Sequence, residues 1–185
     1  MKRVKYSILL IGLLIGQAGL FVPRVVKADS TPSVVINELM WMGSSASSSD
    51  EWIELRNLTD QPVDLSGWKL TKKSSGQDSP MLTIPTGNSI PVNGYFIISN
   101  FSADSTQSTL GISPDVVNTA VSLVNSDLQI KLYNTANELV DTADDGNGAP
   151  LAGAYASGST WKSMERDIQV ADGTLLTGWK HISGS

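Results

Sequence analysis

The chain has 185 residues, no cysteine, one histidine, 18 acidic and 13 basic side chains, and a formal net charge of −5. This length suits one domain that buries about two-thirds of its unfolded surface, so a hydrophobic core can stabilise it without disulfides or structural metal ions. The absence of cysteine excludes disulfides, thiolate metal sites and thiol nucleophiles, and a single histidine excludes any site built on two imidazoles.

The first 28 residues have the three-part layout of a secretory signal peptide. Three basic residues lie within the first five positions, an apolar run follows over 8–22, and Val26-Lys27-Ala28 supplies small residues at −3 and −1. We predict a signal peptide over 1–28, and a secreted or extracytoplasmic location at the cell surface. The alternative is retention as a membrane anchor, because the 17 residues over 6–22 are at the lower limit for spanning a bilayer.

Charge is divided unevenly between this segment and the rest. The first 28 residues hold five of the basic side chains and no acid, so the remainder carries eight basic against 18 acidic side chains, a net charge of −10. Such a surface repels phosphate backbones and anionic lipids. We therefore predict no nucleic-acid partner, and membrane contact only if the N-terminal segment is retained.

From residue 33 the sequence consists of short apolar or alternating runs separated by turn-forming residues, the pattern of a sheet protein. A stretch over 43–50 with five serines has no apolar anchor and is predicted to be a mobile loop, and 72–80 is predicted to be a second polar loop. Four prolines between 62 and 91 argue against helices in this half. Strands are predicted over 34–41, 51–57, 81–84, 89–90 and 95–99, and the apolar residues over 63–70 are interrupted by Ser66-Gly67.

The second half shows the clearest alternation. Leu128, Ile130 and Leu132 fall on one side of an alternating run, and the polar residues 134–137 lead into a second strand, which predicts a hairpin. Helix signals are weak, although the spacing over 161–168 is compatible with one short helical turn. About 8 to 10 short strands in such a chain predict an all-β sandwich of two facing sheets.

Several strings of this sequence occur together in one known family. The combination resembles the lamin-tail domain in its bacterial secreted form. This resemblance implies an immunoglobulin-like β-sandwich over 33–182 without known catalytic residues, preceded by a short linker, 29–32, and followed by a tail, 183–185. The strings are Val35-Ile36-Asn37-Glu38, Asp50-Glu51-Trp52-Ile53-Glu54-Leu55, Leu65-Ser66-Gly67-Trp68, Val92-Asn93-Gly94-Tyr95-Phe96-Ile97-Ile98, Leu128-Gln129-Ile130-Lys131-Leu132-Tyr133-Asn134, Trp161-Lys162-Ser163-Met164-Glu165-Arg166 and Gly178-Trp179.

Four carboxylates near two predicted strand ends are the first candidate site: Glu38, Asp50, Glu51 and Glu54. Hard cations bind several oxygens, and glycoside cleavage uses two carboxyls held apart, so the group is compatible with a calcium site or an acid/base pair. The alternative, which we favour, is that they increase solubility at the sheet edge and accept local hydrogen bonds. By strand parity, Glu51 and Glu54 lie on opposite faces.

Other chemically suggestive residues fit poorly into known sites. The acidic run 141–148 begins like a calcium loop, but Ala143 and Ala152 stand where ligands belong, so we predict a solvated loop. His181 has no positioned nucleophile in any recognisable motif. The glycosylation triplets at Asn57 and Asn100 are interpreted as chance matches.

Aromatic side chains are either core residues or a platform for stacking sugars. The core interpretation is stronger, and Trp68 in particular is predicted to be buried because it shares a strand register with Leu70. Trp41 is predicted to be the most exposed aromatic side chain, since it borders the serine-rich loop. The residues compatible with a platform are Trp52, Trp68, Tyr95, Trp161 and Trp179.

The sequence thus predicts a non-catalytic, exported module that binds or tethers at the cell envelope or outside the cell. No catalytic, cofactor-binding or metal-binding residues and no cofactor are assigned, and the partner is expected to be an envelope protein or a glycan. A carboxylate-based glycan hydrolase and a calcium-stabilised adhesion domain are the alternatives.

Overall fold

A computed structural model describes residues 32–156, 160–169 and 172–182. The predicted signal peptide or anchor over 1–28, most of the linker and the 183–185 tail lie outside the described residues. In the described part, the one helix is a 3-10 turn over Leu176–Gly178. No helix among these residues has the length and apolar character needed to cross a bilayer.

The other regular elements among the described residues are strands, as the sequence predicts. In chain order these are β1 (Val34–Met40), β2 (Trp52–Asn57), β3 (Val63–Asp64), β4 (Lys69–Ser74), β5 (Gln77–Thr83), β6 (Ser89–Ile90), β7 (Tyr95–Ser99), β8 (Val116–Val117), β9 (Ile130–Tyr133), β10 (Leu139–Ala143), β11 (Ala154–Ala156), β12 (Thr160–Lys162), β13 (Met164–Arg166) and β14 (Trp179–His181).

Two main sheets form the sandwich. The six-stranded sheet has the order β14-β13-β1-β2-β7-β8, and the four-stranded sheet has the order β10-β9-β4-β5. All their neighbouring pairs are antiparallel except β7 with β8. The pairs β11-β12 and β3-β6 form two small ribbons. The predicted all-β, immunoglobulin-like sandwich is confirmed.

Strand alternation explains which side chains enter the core. Ile53 and Leu55 of β2 are fully buried, and they share one hydrophobic cluster with Leu70, Ile130 and Leu132 of the four-stranded sheet. The intervening side chains of each strand point to the opposite face of the pleat. The outer face of the six-stranded sheet therefore carries Glu38 of β1, Glu54 of β2 and Glu165 of β13.

A buried ion pair connects the two sheets. Arg166 on β13 lies 3.2 Å from Asp141 on β10 (Nη2 to Oδ1), and the exposed fractions of the two side chains are 1% and 4%. The second carboxylate oxygen of Asp141 accepts a 2.8 Å hydrogen bond from the backbone N–H of Ile36 on β1. The guanidinium of Arg166 also lies over the ring of Trp179, 5.1 Å from its centroid. Both charges are thus compensated where they are buried.

Gly173 is required beside this ion pair. A Cβ at this position would lie 2.0 Å from Arg166 Nη1 and 2.0 Å from the carbonyl oxygen of Thr142, which no side chain tolerates. Its own carbonyl accepts hydrogen bonds from Trp179 Nε1 at 2.8 Å and from the N–H of Asp144 at 3.0 Å. The backbone of Gly173 therefore packs directly against the guanidinium of Arg166.

The prediction of a polar loop over 72–80 is wrong. This stretch is the hairpin of β4 and β5, joined by Ser75 and Gly76 with φ angles of 50° and 77°. Two positive φ angles are typical of the tight type I′ hairpin turn. The residues are polar because β5 is the terminal strand of its sheet, where charged residues and proline are tolerated and discourage aggregation.

Two further predictions are wrong. The helical turn expected over 161–168 is replaced by β12 and β13, which are separated only by Ser163. Trp41, predicted to be exposed, is 9% exposed, and its Nε1 donates a 2.9 Å hydrogen bond to the carbonyl of Ala152. That partner is 111 residues away in sequence, so the polar residues that follow Trp41 in the chain do not indicate its burial.

Replacing Trp68 with alanine tests the core assignment. Trp68 is 8% exposed and belongs to the cluster shared by both sheets, as the sequence predicts. Truncation of such a side chain costs about 3–5 kcal/mol, which lowers Tm by roughly 10 °C for a domain of this size. Val117→Ala, at a side chain that is 49% exposed, is the control and should leave the melting curve nearly unchanged. An unchanged Tm in Trp68→Ala would contradict the burial.

Candidate functional site

Three connections leave the six-stranded sheet at the same end. Trp52 at the start of β2 lies opposite Met40 at the end of β1 and opposite Ser99 at the end of β7. The parallel strand β8 ends beside Ser99, at Val117. The segments 41–51, 100–115 and 118–129 therefore begin or end along one row of the sheet. We call them loop A, loop B and loop C, and together the loop end.

Asp50 holds loop A to loop B. Its side chain is buried, and Oδ2 accepts hydrogen bonds from Ser44 Oγ at 2.6 Å, from the N–H of Thr109 at 2.7 Å and from the Thr109 hydroxyl at 3.1 Å. The N–H groups of Ser44 and Asp50 both donate to the carbonyl of Ser47. Loop A, expected to be mobile because it lacks apolar anchors, is instead held by buried polar contacts.

Glu51 holds loop A to loop C. Its Oε2 accepts a 2.8 Å hydrogen bond from the N–H of Leu123. Burial raises the pKa of Glu51 to about 7, although the Leu123 hydrogen bond and the charge of Lys72 lower it. Asn100, the first residue of loop B, contacts both other loops. Its N–H donates to the carbonyl of Glu51 in loop A, and its Nδ2 donates to the carbonyl of Val121 in loop C at 2.6 Å.

The surface of the loop end presents neutral hydrogen-bonding groups together with the exposed carboxylates of Asp104, Asp115 and Asp127. Ile112 adds an apolar side chain that is 57% exposed. This surface therefore offers hydroxyl and amide groups, one apolar contact and a fixed backbone. The exposed polar side chains on loops A and B include Ser45, Ser48, Ser49, Thr106, Gln107 and Ser113.

The other two candidate carboxylates lie on the outer face of the six-stranded sheet. Glu38 on β1 pairs with Glu54 on β2 and with Glu165 on β13, which places three glutamates side by side across three strands. We call Glu38, Glu54 and Glu165 the carboxylate row. Ser163 Oγ donates to Glu38 Oε1, and Asn37 Nδ2 donates to Glu54 Oε1 at 2.7 Å. Local sequence patterns do not reveal Glu165, because it joins the row only through strand register.

The four carboxylates that sequence analysis grouped are therefore divided between two places. Asp50 and Glu51 are buried under the loops, whereas Glu38 and Glu54 belong to the carboxylate row. Within residues 32–156, 160–169 and 172–182, no three acidic or histidine side chains are arranged to hold a metal ion.

The acidic run 141–148 is less solvated than predicted. Asp141 belongs to the buried ion pair, where burial raises its pKa and the facing guanidinium of Arg166 lowers it. Asp144 is fully buried, and its carboxylate accepts hydrogen bonds from the N–H groups of Leu151 at 2.7 Å and Gly146 at 3.2 Å. These two aspartates therefore act within the structure of the loop.

The remaining candidates occupy separate places. His181 is exposed on β14 opposite Met164. Asn57 and Asn100, of the two glycosylation triplets, are buried, and each donates through Nδ2 to backbone carbonyls.

The aromatic side chains do not form one platform. Trp68 and Trp179 are buried, and Trp52 and Trp161 are partly buried. Tyr95 is 47% exposed, and its ring contacts the guanidinium of Arg56, 5.2 Å from the centroid. Trp52 and Arg56 lie near opposite ends of β2, so Trp52 and Tyr95 are far apart along the sheet.

Comparison with known families supports the resemblance noted from the sequence. A family model described as Lamin Tail Domain matches residues 27–146, which is more than half of the chain. The matched segment contains β1 to β10, and thus the whole four-stranded sheet and the loop end. No curated protein matches the chain.

Removing the Asp50 carboxylate tests its role beneath the loops. Asp50→Ala leaves the N–H of Thr109 and the hydroxyl of Ser44 without their acceptor, which costs about 1–3 kcal/mol for buried groups. We expect a lower Tm and faster proteolytic cleavage within loops A and B. Asp104→Ala, which removes an exposed carboxylate from loop B, is the control. Equal cleavage rates in the two variants would contradict the role of Asp50.

Proposed function

The chain belongs to the lamin-tail domain family, and we propose that it is a non-catalytic module, exported to the cell envelope or beyond, that binds or tethers a partner through its loop end. The export part of this proposal is supported by the sequence of residues 1–28, with its basic start, apolar run and small residues before Asp29. The binding part is supported by the arrangement of the loops.

The observation that carries the binding proposal is the cross-linking of three loops by buried polar side chains. Asp50 joins loop A to loop B, and Glu51 joins loop A to loop C. Loops whose conformation is fixed by buried hydrogen bonds lose little conformational entropy when they bind a partner, which favours recognition. Binding residues are commonly found on loops that a rigid scaffold positions. The sandwich provides such a scaffold.

The carboxylates that suggested hydrolysis are engaged in internal hydrogen bonds. Asp50 and Glu51 accept from backbone N–H groups under the loops, and Glu38 and Glu54 accept from Ser163 and Asn37. These contacts support the non-catalytic interpretation. Turnover of glycan, peptide or ester substrates by the purified chain, lost in Glu38→Gln or Glu54→Gln, would contradict it.

The partner class is inferred from charge and surface chemistry. A net charge of −10 beyond residue 28 and the exposed carboxylates of Asp104 and Asp115 on loop B disfavour polyanions. The exposed hydroxyl and amide groups of loops A and B suit a polar, uncharged partner surface. Ile112 adds an apolar contact. We therefore propose an envelope glycan or an envelope protein as the partner.

Fractionation of the host tests the export proposal. The full-length chain carrying a C-terminal tag should appear in the envelope or extracellular fraction, because the apolar run over 8–22 directs export. A variant lacking 8–22 is the control and should remain in the cytoplasm. Cytoplasmic recovery of the unmodified chain would contradict export.

Co-sedimentation with isolated envelopes of the host tests the loop end as the binding surface. Ser48→Glu and Gln107→Glu introduce a negative charge on loop A and loop B, respectively. Each should raise the apparent Kd by about tenfold, the loss of one good polar contact. Thr86→Glu, which adds the same charge at an exposed turn between β5 and β6, should bind as the unmodified chain does. Equal binding by all variants would place the surface elsewhere.

A further inference from the structure

We propose that the carboxylate row is a proton-sensitive latch, which holds β13 and β14 on the six-stranded sheet more tightly in mildly acidic than in alkaline solution. The pair β13-β14 is called the C-terminal hairpin below.

The latch lies at a short junction between strands. The pairing of β13 with β1 consists of Glu38 opposite Glu165 and Leu39 opposite Met164. One of these two pairs therefore places two acidic side chains directly opposite each other. Like charges in that position destabilise a sheet when both are ionised, and a proton on either one removes the repulsion.

Glu38 is the centre of the row. Glu54 lies opposite it on β2, so Glu38 has a carboxylate neighbour on both sides. Ser163, which leads directly into β13, donates to Glu38 Oε1. The proton state of Glu38 therefore acts on the residues that attach the C-terminal hairpin.

The basic groups near the row only partly offset its negative charge. Lys180 Nζ lies 3.2 Å from Glu165 Oε2, but its side chain is 58% exposed, so solvent weakens this pair. Arg56 on β2 lowers the pKa of Glu54, although its guanidinium is also engaged with the ring of Tyr95. Asn37 donates a neutral hydrogen bond to Glu54.

The pKa values agree with this geometry. Burial raises the pKa of Glu38 from 4.5 to about 7, the Ser163 hydrogen bond and Lys180 lower it, and the charges of Glu54 and Glu165 raise it. Burial also raises the pKa of Glu54. A carboxyl whose pKa is higher in the folded state binds its proton more tightly there. The resulting stability is complete below about pH 4.5 and is lost as the pH rises through about 7.

The effect must be separated from that of other buried acids. Burial also raises the pKa values of Glu51, Asp141 and Asp144, so the global stability depends on pH through several groups. Asp141 also contacts the C-terminal hairpin, through Arg166 of β13, so the contribution of the row is identified with variants of the row that leave Asp141 unchanged. A local measurement is therefore required.

Hydrogen exchange of the full-length chain in a mild non-ionic detergent provides this measurement. After correction for intrinsic exchange rates, the amides of β13 and β14 should be about tenfold more protected at pH 5.5 than at pH 8, because one pKa unit corresponds to a factor of ten. The shift of Glu38 exceeds one unit, and partial exposure of the row reduces its effect. In Glu38→Gln the difference should fall below about twofold, since the central charge is absent at both pH values.

Glu51→Gln is the matched control. It removes a carboxyl whose pKa burial also raises to about 7, but which lies under the loops and outside the row. This variant should retain the tenfold difference in the C-terminal hairpin. Glu165→Gln removes the other member of the repulsive pair and should behave as Glu38→Gln does, which keeps the test decisive if one variant folds poorly. A tenfold difference that persists in both row variants, or no difference in the unmodified chain, would overturn the latch.

Discussion

The buried ion pair between Arg166 and Asp141 is the contact on which the arrangement of the two sheets depends. The chain has no cysteine, so it lacks the inter-sheet disulfide of antibody domains, and here a charged contact joins the sheets beside the hydrophobic core. Burying two charges is costly unless every polar atom finds a partner. The Ile36 N–H, the Thr142 carbonyl and the Trp179 ring supply such partners.

The pair lies where β1, which pairs with β2 along its length, gains β13 as a second neighbour. Asp141 accepts the Ile36 N–H just before the register of β1 shifts, and beyond the shift Glu38 and Leu39 pair with β13. Arg166 is the last residue of β13, and its ion pair with Asp141 attaches this strand to β10 of the four-stranded sheet. Register decides which side chains meet across strands, and Glu165, the residue before Arg166, lies opposite Glu38 in the carboxylate row. The loop end, which Asp50 and Glu51 connect, lies at the far end of β1.

Local patterns predicted the features that depend on local chemistry. Alternation placed Ile130 and Leu132 in the core, and the polar turn before β10 forms the predicted hairpin, with Asn137 at a φ of 58°. The features that were missed depend on contacts between distant residues. Trp41 is buried by a partner 111 residues away, and Ser163 meets Glu38 across 125 residues. Neither hydrophobic period nor turn chemistry encodes which strands become neighbours, so the row and the ion pair required the three-dimensional structure.

A double-mutant cycle on Arg166 and Asp141, measured by urea unfolding, tests the role of the ion pair most directly. Arg166→Met and Asp141→Leu should each lower the free energy of unfolding by about 3–5 kcal/mol, because each leaves an uncompensated buried charge. The double variant should be clearly more stable than the sum of the two losses implies, since it leaves neither charge behind. Single losses below about 0.5 kcal/mol, or losses that simply add, would contradict a coupled pair that joins the sheets.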